Sequence, residues 1–156
     1  MASLRKSSRG FTIIELLVVI GVLIILGVVV FATYSGIQAK ERNSKRSEDI
    51  ANIQQQLEFF FQNNGYYPSL ADMNNPAWLT KNLKHLDKSW LTDPSNPSKS
   101  EKLVSKPTAK WYAYKVTDSS GKSCESNDTN CDLYVLTATY EGTVNGAHTV
   151  SMRNID

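Results

Sequence analysis

The chain has few residues that could carry out chemistry. It has only two histidines, His85 and His148, each isolated, and its serines lack a base and an orienting partner. An activated nucleophile needs both within hydrogen-bond reach, so the sequence offers no catalytic residue and no enzyme activity is expected. Cysteine is equally scarce: Cys124 and Cys131 are the only two, both in the polar C-terminal part. An even pair in a short exported domain reads as a disulfide. A metal pair is the alternative, but the spacing does not suit a zinc knuckle and no histidine is near. A strong charge of one sign is also missing. The whole chain is +2, and without Arg5, Lys6 and Arg9 it keeps 14 basic against 15 acidic residues, a net charge of −1. No basic surface is implied, so nucleic acid is not a favoured partner.

The most informative absence lies near the N-terminus. From Leu16 to Ala32 there is no charged or amide side chain and no proline. Extending back to Phe11 gives 22 residues interrupted only by Thr12 and Glu15. As a helix this run spans about 33 Å, enough to cross a bilayer core of roughly 30 Å. A buried core helix of a soluble protein would rarely run so long without polar residues. A carboxylate in such a run needs an explanation, because an ionised acid at mid-bilayer costs on the order of 3 kcal/mol.

What precedes the run is basic: Arg5, Lys6 and Arg9, with no acid. Lys40, Arg42, Lys45 and Arg46 follow it, so the positive-inside count is nearly even; the leader charges lie closer and favour an inside N-terminus. An ordinary secretory signal has its small-residue cleavage site after the apolar stretch. Here the good small-residue site, Gly10, comes before it. Cleavage there would leave the apolar run on the mature protein as an anchor. A plain uncleaved signal-anchor explains the leader and the run but not Glu15.

The stretch RGFTIIELLVVIGVLI resembles the N-terminus of type IV pilins and of the pseudopilins of type II secretion. The pattern is a basic leader ending in Gly, then Phe, then Glu shortly after, then an apolar run; Gly10, Phe11, Thr12 and Glu15 match it position for position. It covers roughly the first 35 residues; NNGYYPSL, LTDP, WYAY and LYVLTATYE resemble the globular part of the family less specifically. The resemblance implies a prepilin peptidase that cuts after Gly10 and methylates the new N-terminal Phe11. It implies that Glu15 helps a subunit enter a growing filament, pairing with the Phe11 amine of a neighbour. The partners it implies are further copies of this chain in a homopolymeric filament, the peptidase, the inner-membrane pilus or secretion assembly machinery, and lipid before assembly. Many family members carry a helix-breaking Pro near the place of Ala32; this chain has Gly21, Gly27 and Gly36 there instead.

Beyond the run, Ile50, Ile53, Leu57 and Phe60 recur at spacings of three and four, an apolar stripe on one helix face. Asn63-Asn64-Gly65 is a stop signal. The spacing therefore predicts one helix from Phe11 to about Asn63, apolar in its first half and amphipathic in its second. The charged patch from Lys40 to Asp49 is expected to be a solvated neck near the headgroups. Residues 64–156 supply the cover for the stripe. Asn75-Pro76 reads as an N-cap and first turn, with a short helix expected from Pro76 to Asp87. Asp93 to Pro107 reads as a long surface loop. Strands are expected at 111–117, 133–140 and 148–152, with a turn at Asn145-Gly146. The fold class is α+β: a long N-terminal helix packed on a small antiparallel head of three or four strands, the ladle shape that the resemblance also implies. The divisions are a leader over 1–10, a membrane half over 11–32, an amphipathic half over 33–63 and a globular head over 64–156.

The loop between the first two strands carries Asp118, Glu125, Asp128 and Asp132. The resemblance offers calcium (Ca²⁺) for such a loop, as in some secretion pseudopilins. No EF-hand-like spacing is present, so these are read as solvated acids and no cofactor is expected. Asn127-Asp128-Thr129 matches a glycosylation sequon. Taken together the chain reads as a structural subunit of a pilus-like filament. A pseudopilin of a secretion or competence system is the alternative, and a monomeric signal-anchored surface protein the second.

Overall fold

The structure is a computed structural model, and it describes residues 11–154. Those residues form two compact units that divide after Gln38. The expected long helix is there as α1, Ile13–Asn64. Among the described residues every large apolar side chain from Phe11 to Phe31 is exposed, between 45% and 81%. Ile and Val are only middling helix formers, so what sustains this stretch is an apolar surrounding, which leaves the backbone no partner but itself, together with the absence of an interrupting proline.

In the second unit α1 meets its cover. Ile50, Ile53, Leu57 and Phe60 are all buried, as their spacing predicts. The helix ends on Gly65, whose φ of +77° is open to glycine at little cost and whose N–H reaches the carbonyl of Phe61 at 2.7 Å. A short α2, Leu70–Met73, opens with a capping box between Ser69 and Asp72, a signal readable as S-x-x-D although no helix is expected there from the apolar spacing. Helix α3 is shorter than its pattern suggests, Pro76–Asn82. Asp87 starts a fresh 3₁₀ turn, Lys88–Leu91, by accepting from the Ser89 N–H at 2.8 Å. The break lets Leu83, Leu86 and Leu91 all reach the core.

The sheet has three antiparallel strands in chain order: β1, Ala113–Thr117; β2, Leu133–Val144; β3, Ala147–Arg153. Tyr114 pairs with Leu136 and Val116 with Tyr134, and Leu136 and Ala138 pair onward with Met152 and Val150. One face therefore gathers Tyr114, Val116, Tyr134, Leu136 and Ala138 against the α1 stripe. Asn145 and Gly146 close the β2–β3 hairpin at φ of +51° and +80°, the sign that a two-residue type I′ turn requires. The stretch 93–107 is the irregular, largely exposed loop expected, but three of its residues turn inward. Asp93, Asn96 and Leu103 are buried, Val104 bridges Ala113, and Asn74 holds Leu103 by both its backbone groups at 2.8 and 3.0 Å.

Candidate functional site

Thr12 and Glu15 stand at the N-cap and third positions of α1, which begins at Ile13. Glu15 Oε2 accepts from the Thr12 N–H at 2.9 Å and from the Thr12 hydroxyl at 2.7 Å, while Thr12 Oγ1 accepts from the Glu15 N–H at 3.3 Å. This is a capping box. It answers the first difficulty of a helix that starts in lipid, because the leading N–H groups have no intrahelical partner and no water to turn to. The second carboxylate oxygen, Oε1, makes no bond among the described residues. Glu15 therefore caps its own helix and still presents one charged acceptor outward. Phe11, immediately before the cap, is 77% exposed. Gly10 lies outside the described residues. A Cβ at Gly21, Gly27 or Gly36 would meet nothing within 4 Å, so no packing among the described residues requires these glycines.

The patch from Lys40 to Asp49 is not a solvated neck throughout. Asn43, Arg46 and Asp49 are buried at 6%, 1% and 0% exposure. Arg46 forks onto Asp93, Nε to Oδ2 at 2.7 Å and Nη2 to Oδ1 at 2.9 Å. It also donates to Asn43 Oδ1 at 2.7 Å, Ser95 Oγ at 2.8 Å and Glu141 Oε1 at 2.9 Å. Arg42 takes the other side of Glu141, Nε to Oε1 at 2.8 Å and Nη2 to Oε2 at 2.5 Å. Asn43 exchanges hydrogen bonds with the Glu141 backbone at both its carbonyl and its N–H. The Arg42 guanidinium, with Ser95 and Arg46 behind it, holds the Glu141 carboxyl down at about 2 despite partial burial. One turn further on, Asp49 accepts from the Tyr112 hydroxyl at 2.8 Å and lies 2.7 Å from Lys45 Nζ. Burial nonetheless pushes the Asp49 carboxyl above its ordinary range.

The same logic continues along α1. Glu58 receives the hydroxyls of Tyr67 and Tyr134, both at 2.8 Å, and the Tyr114 hydroxyl donates to the Pro68 carbonyl at 2.7 Å. Four buried tyrosines thus find polar partners for their one polar atom, which is what makes their burial favourable. The helix is held to the head by an apolar stripe and a polar clamp side by side.

Cys124 and Cys131 are joined as a disulfide, with Cα atoms 6.1 Å apart. Cys131 is buried and its carbonyl accepts from the Tyr67 N–H at 2.8 Å, so the loop is tied to the segment that follows α1. The loop acids are not gathered: among the described residues no group of three or more His, Cys, Asp or Glu could hold a metal ion. Asp118 turns on its own loop, accepting from the N–H groups of Ser120 and Lys122, each at 2.9 Å.

Sequence reasoning places Thr12 in the N-terminal motif but missed its capping role, although T-x-x-E before an apolar run is a capping-box signature. It also missed Arg46, Asp93 and Glu141, which no local pattern joins. Residues 5–31 match the prokaryotic N-terminal methylation motif. The motif indicates a class III signal of the kind found in the type IV pilin and pseudopilin family, and it supports a pilin-like or pseudopilin prepilin. The match covers residues 5–10 of the leader and nearly all of the apolar run, and none of the head. No curated protein and no solved structure matches the chain. Prepilin peptidase processing and assembly into pilus-like filaments follow from the motif. α1 is long and apolar enough to cross a membrane, which fits anchoring in the inner membrane before assembly.

Proposed function

We propose that this chain is the polymerising subunit of a type IV pilus-like filament. It waits in the cytoplasmic membrane as a single-pass prepilin, is cut after Gly10, is methylated on Phe11, and is drawn into a homopolymer on the cell surface by inner-membrane assembly machinery. Its role is structural, with no catalysis and no cofactor.

The observation that carries this reading is the uncovered half of α1. Among the described residues the large apolar side chains from Phe11 to Phe31 are all exposed, and an apolar surface that long is stable only in lipid or against other copies of the same helix. Glu15 distinguishes the two environments. In lipid its capping box offsets part of the cost of a buried carboxylate, and Oε1 stays unpaired. Cleavage turns the Phe11 nitrogen from a neutral amide into an amine with a pKa of about 8, cationic at neutral pH. Helices staggered in a filament bring such an amine to the Oε1 of a neighbour, and pairing removes part of the burial cost of both. Processing then licenses assembly, because no cation exists at Phe11 before it.

The test is the mass and N-terminal sequence of the chain in sheared surface filaments and in membranes. The expected result is N-methylated Phe11 in filaments. A chain beginning at Met1 or Ala2 sinks the proposal in favour of a plain anchor. A chain cut at Phe11 but confined to membranes, with no surface filament, points instead to a pseudopilin.

A further inference from the structure

Two N-x-[ST] sequences occur in the chain, and the structure separates them. Asn96-Pro97-Ser98 has the forbidden proline, and Asn96 is buried at 5% exposure with its Oδ1 occupied by Ser98. Asn127-Asp128-Thr129 lies in the disulfide loop, with Asn127 and Thr129 both exposed. The Asp128 N–H closes a turn onto the Glu125 carbonyl at 3.2 Å, and Asp128 Oδ2 accepts from the Glu125 N–H at 2.9 Å. Asn127 sits at the corner with φ of +76°. Its carboxamide makes no hydrogen bond among the described residues, and neither does the Thr129 hydroxyl or the Glu125 carboxylate.

Asn tolerates a positive φ, so the turn alone would account for Asn127. It does not account for Thr129 or for Glu125, whose side chains the loop does not use. The acid matters because the stricter acceptor form read by bacterial oligosaccharyltransferases adds an acidic residue two positions before the Asn. Glu125-Ser126-Asn127-Asp128-Thr129 has that form. The chain shows it at a single place, on a surface loop in the part that the proposed function puts outside the cytoplasm.

We propose that Asn127 is the acceptor of an N-linked glycan, transferred from a polyprenyl diphosphate-linked oligosaccharide by a membrane oligosaccharyltransferase. Asn127 Nδ2 forms the new bond to the anomeric carbon. The bond from that carbon to the diphosphate oxygen breaks, the polyprenyl diphosphate leaves with the electron pair, and the amide proton passes to a base of the enzyme. The loop would then face solvent in the filament, since a glycan cannot be packed into a subunit contact. This inference rests on export of the head, as argued above.

The full chain is recovered from the surface of the cells that make it, and its disulfide-linked peptide is fragmented by mass spectrometry. The expected result is one glycan mass on Asn127, lost in Thr129→Ala and in Glu125→Ala but retained in Thr129→Ser, with the Cys124–Cys131 bond intact in every variant. A parent chain with the disulfide formed and no added mass overturns the proposal, as does a glycan localised to Ser126 or Thr129. A parent chain absent from the surface fraction and found inside the cells with reduced cysteines would instead refute export, and with it the reading on which this inference rests.

Discussion

Replacing Arg46 by methionine tests the polar clamp most directly. The guanidinium is almost fully buried and makes five hydrogen bonds, two of them bidentate to Asp93, whose side chain is itself inaccessible. Methionine fills much of the volume but donates nothing. Asp93 keeps only the Ser95 N–H, at 2.8 Å to Oδ1. Removing one partner of a buried ion pair costs about 3–5 kcal/mol, because the remaining charge is left without compensation. A domain of this size has a total stability of about 5–15 kcal/mol, so the loss is a large fraction of the whole. With a urea slope of roughly 1–3 kcal/mol per molar, the unfolding midpoint should fall by about 2 M. Trp78, Trp90 and Trp111 all lie in the head and report its unfolding in the full chain held in detergent. Arg46→Lys keeps the charge but not the fork, and should fall between parent and methionine. The double variant Arg46→Met/Asp93→Asn removes the orphaned charge and should recover more than about 1 kcal/mol of the single variant's loss. If Arg46→Met costs less than about 1 kcal/mol, the cluster behaves as a surface bridge and the argument from burial is wrong.

The remaining predictions concern the N-terminus, acid stability and the disulfide. Glu15→Leu should be cut normally, stay in the membrane and yield few sheared filaments; Glu15→Gln, which keeps an acceptor for the cap but no charge, should be no worse. Parent-level filaments from Glu15→Leu would remove Glu15 from assembly. Gly10→Val should leave an uncleaved precursor in the membrane, and normal filaments from that variant would refute a cleavage requirement. Glu141 titrates at about 2 in the fold against 4.5 when free, so its contribution is present above 4.5 and is lost as pH falls from 4.5 towards 2. Thermal melts of Glu141→Gln should therefore show a shallower loss across that window than the parent, and parallel curves would argue against the linkage. Cys124→Ser/Cys131→Ser opens a short loop and should cost the head about 2–3 kcal/mol on denaturant unfolding, while the anchor still inserts; an unchanged midpoint would show that the tie at Tyr67 already fixes the loop.

Much of this protein was legible in the chain because its signals are local. The apolar run, the stripe of Ile50, Ile53, Leu57 and Phe60, the Asn-Gly hairpin and the strand alternation each depend on neighbours within a few residues. Hydropathy and periodicity report such neighbours directly. The motif around Gly10, Phe11 and Glu15 is likewise contiguous, and the capping box at Thr12 could have been read with it. The disulfide was legible for a different reason: with only two cysteines there is one possible intrachain pairing.

Tertiary structure alone decided the fate of the charges from Arg42 to Asp49. In sequence they form a mixed patch whose ordinary place is in water. In the fold Arg46 is desolvated because Asp93, 47 residues on, and Glu141, 95 residues on, arrive at the same point. Burying a guanidinium is unfavourable until its partners are present; Asn43 is near in sequence, but the two acids that neutralise the charge are not. The same holds within 93–107: its Ser, Pro and Lys content correctly reads as a surface loop but does not reveal that Asp93, Asn96 and Leu103 turn inside. Local composition determined where helix and strand begin; which polar residues could leave water was determined by the partners that folding brought to them.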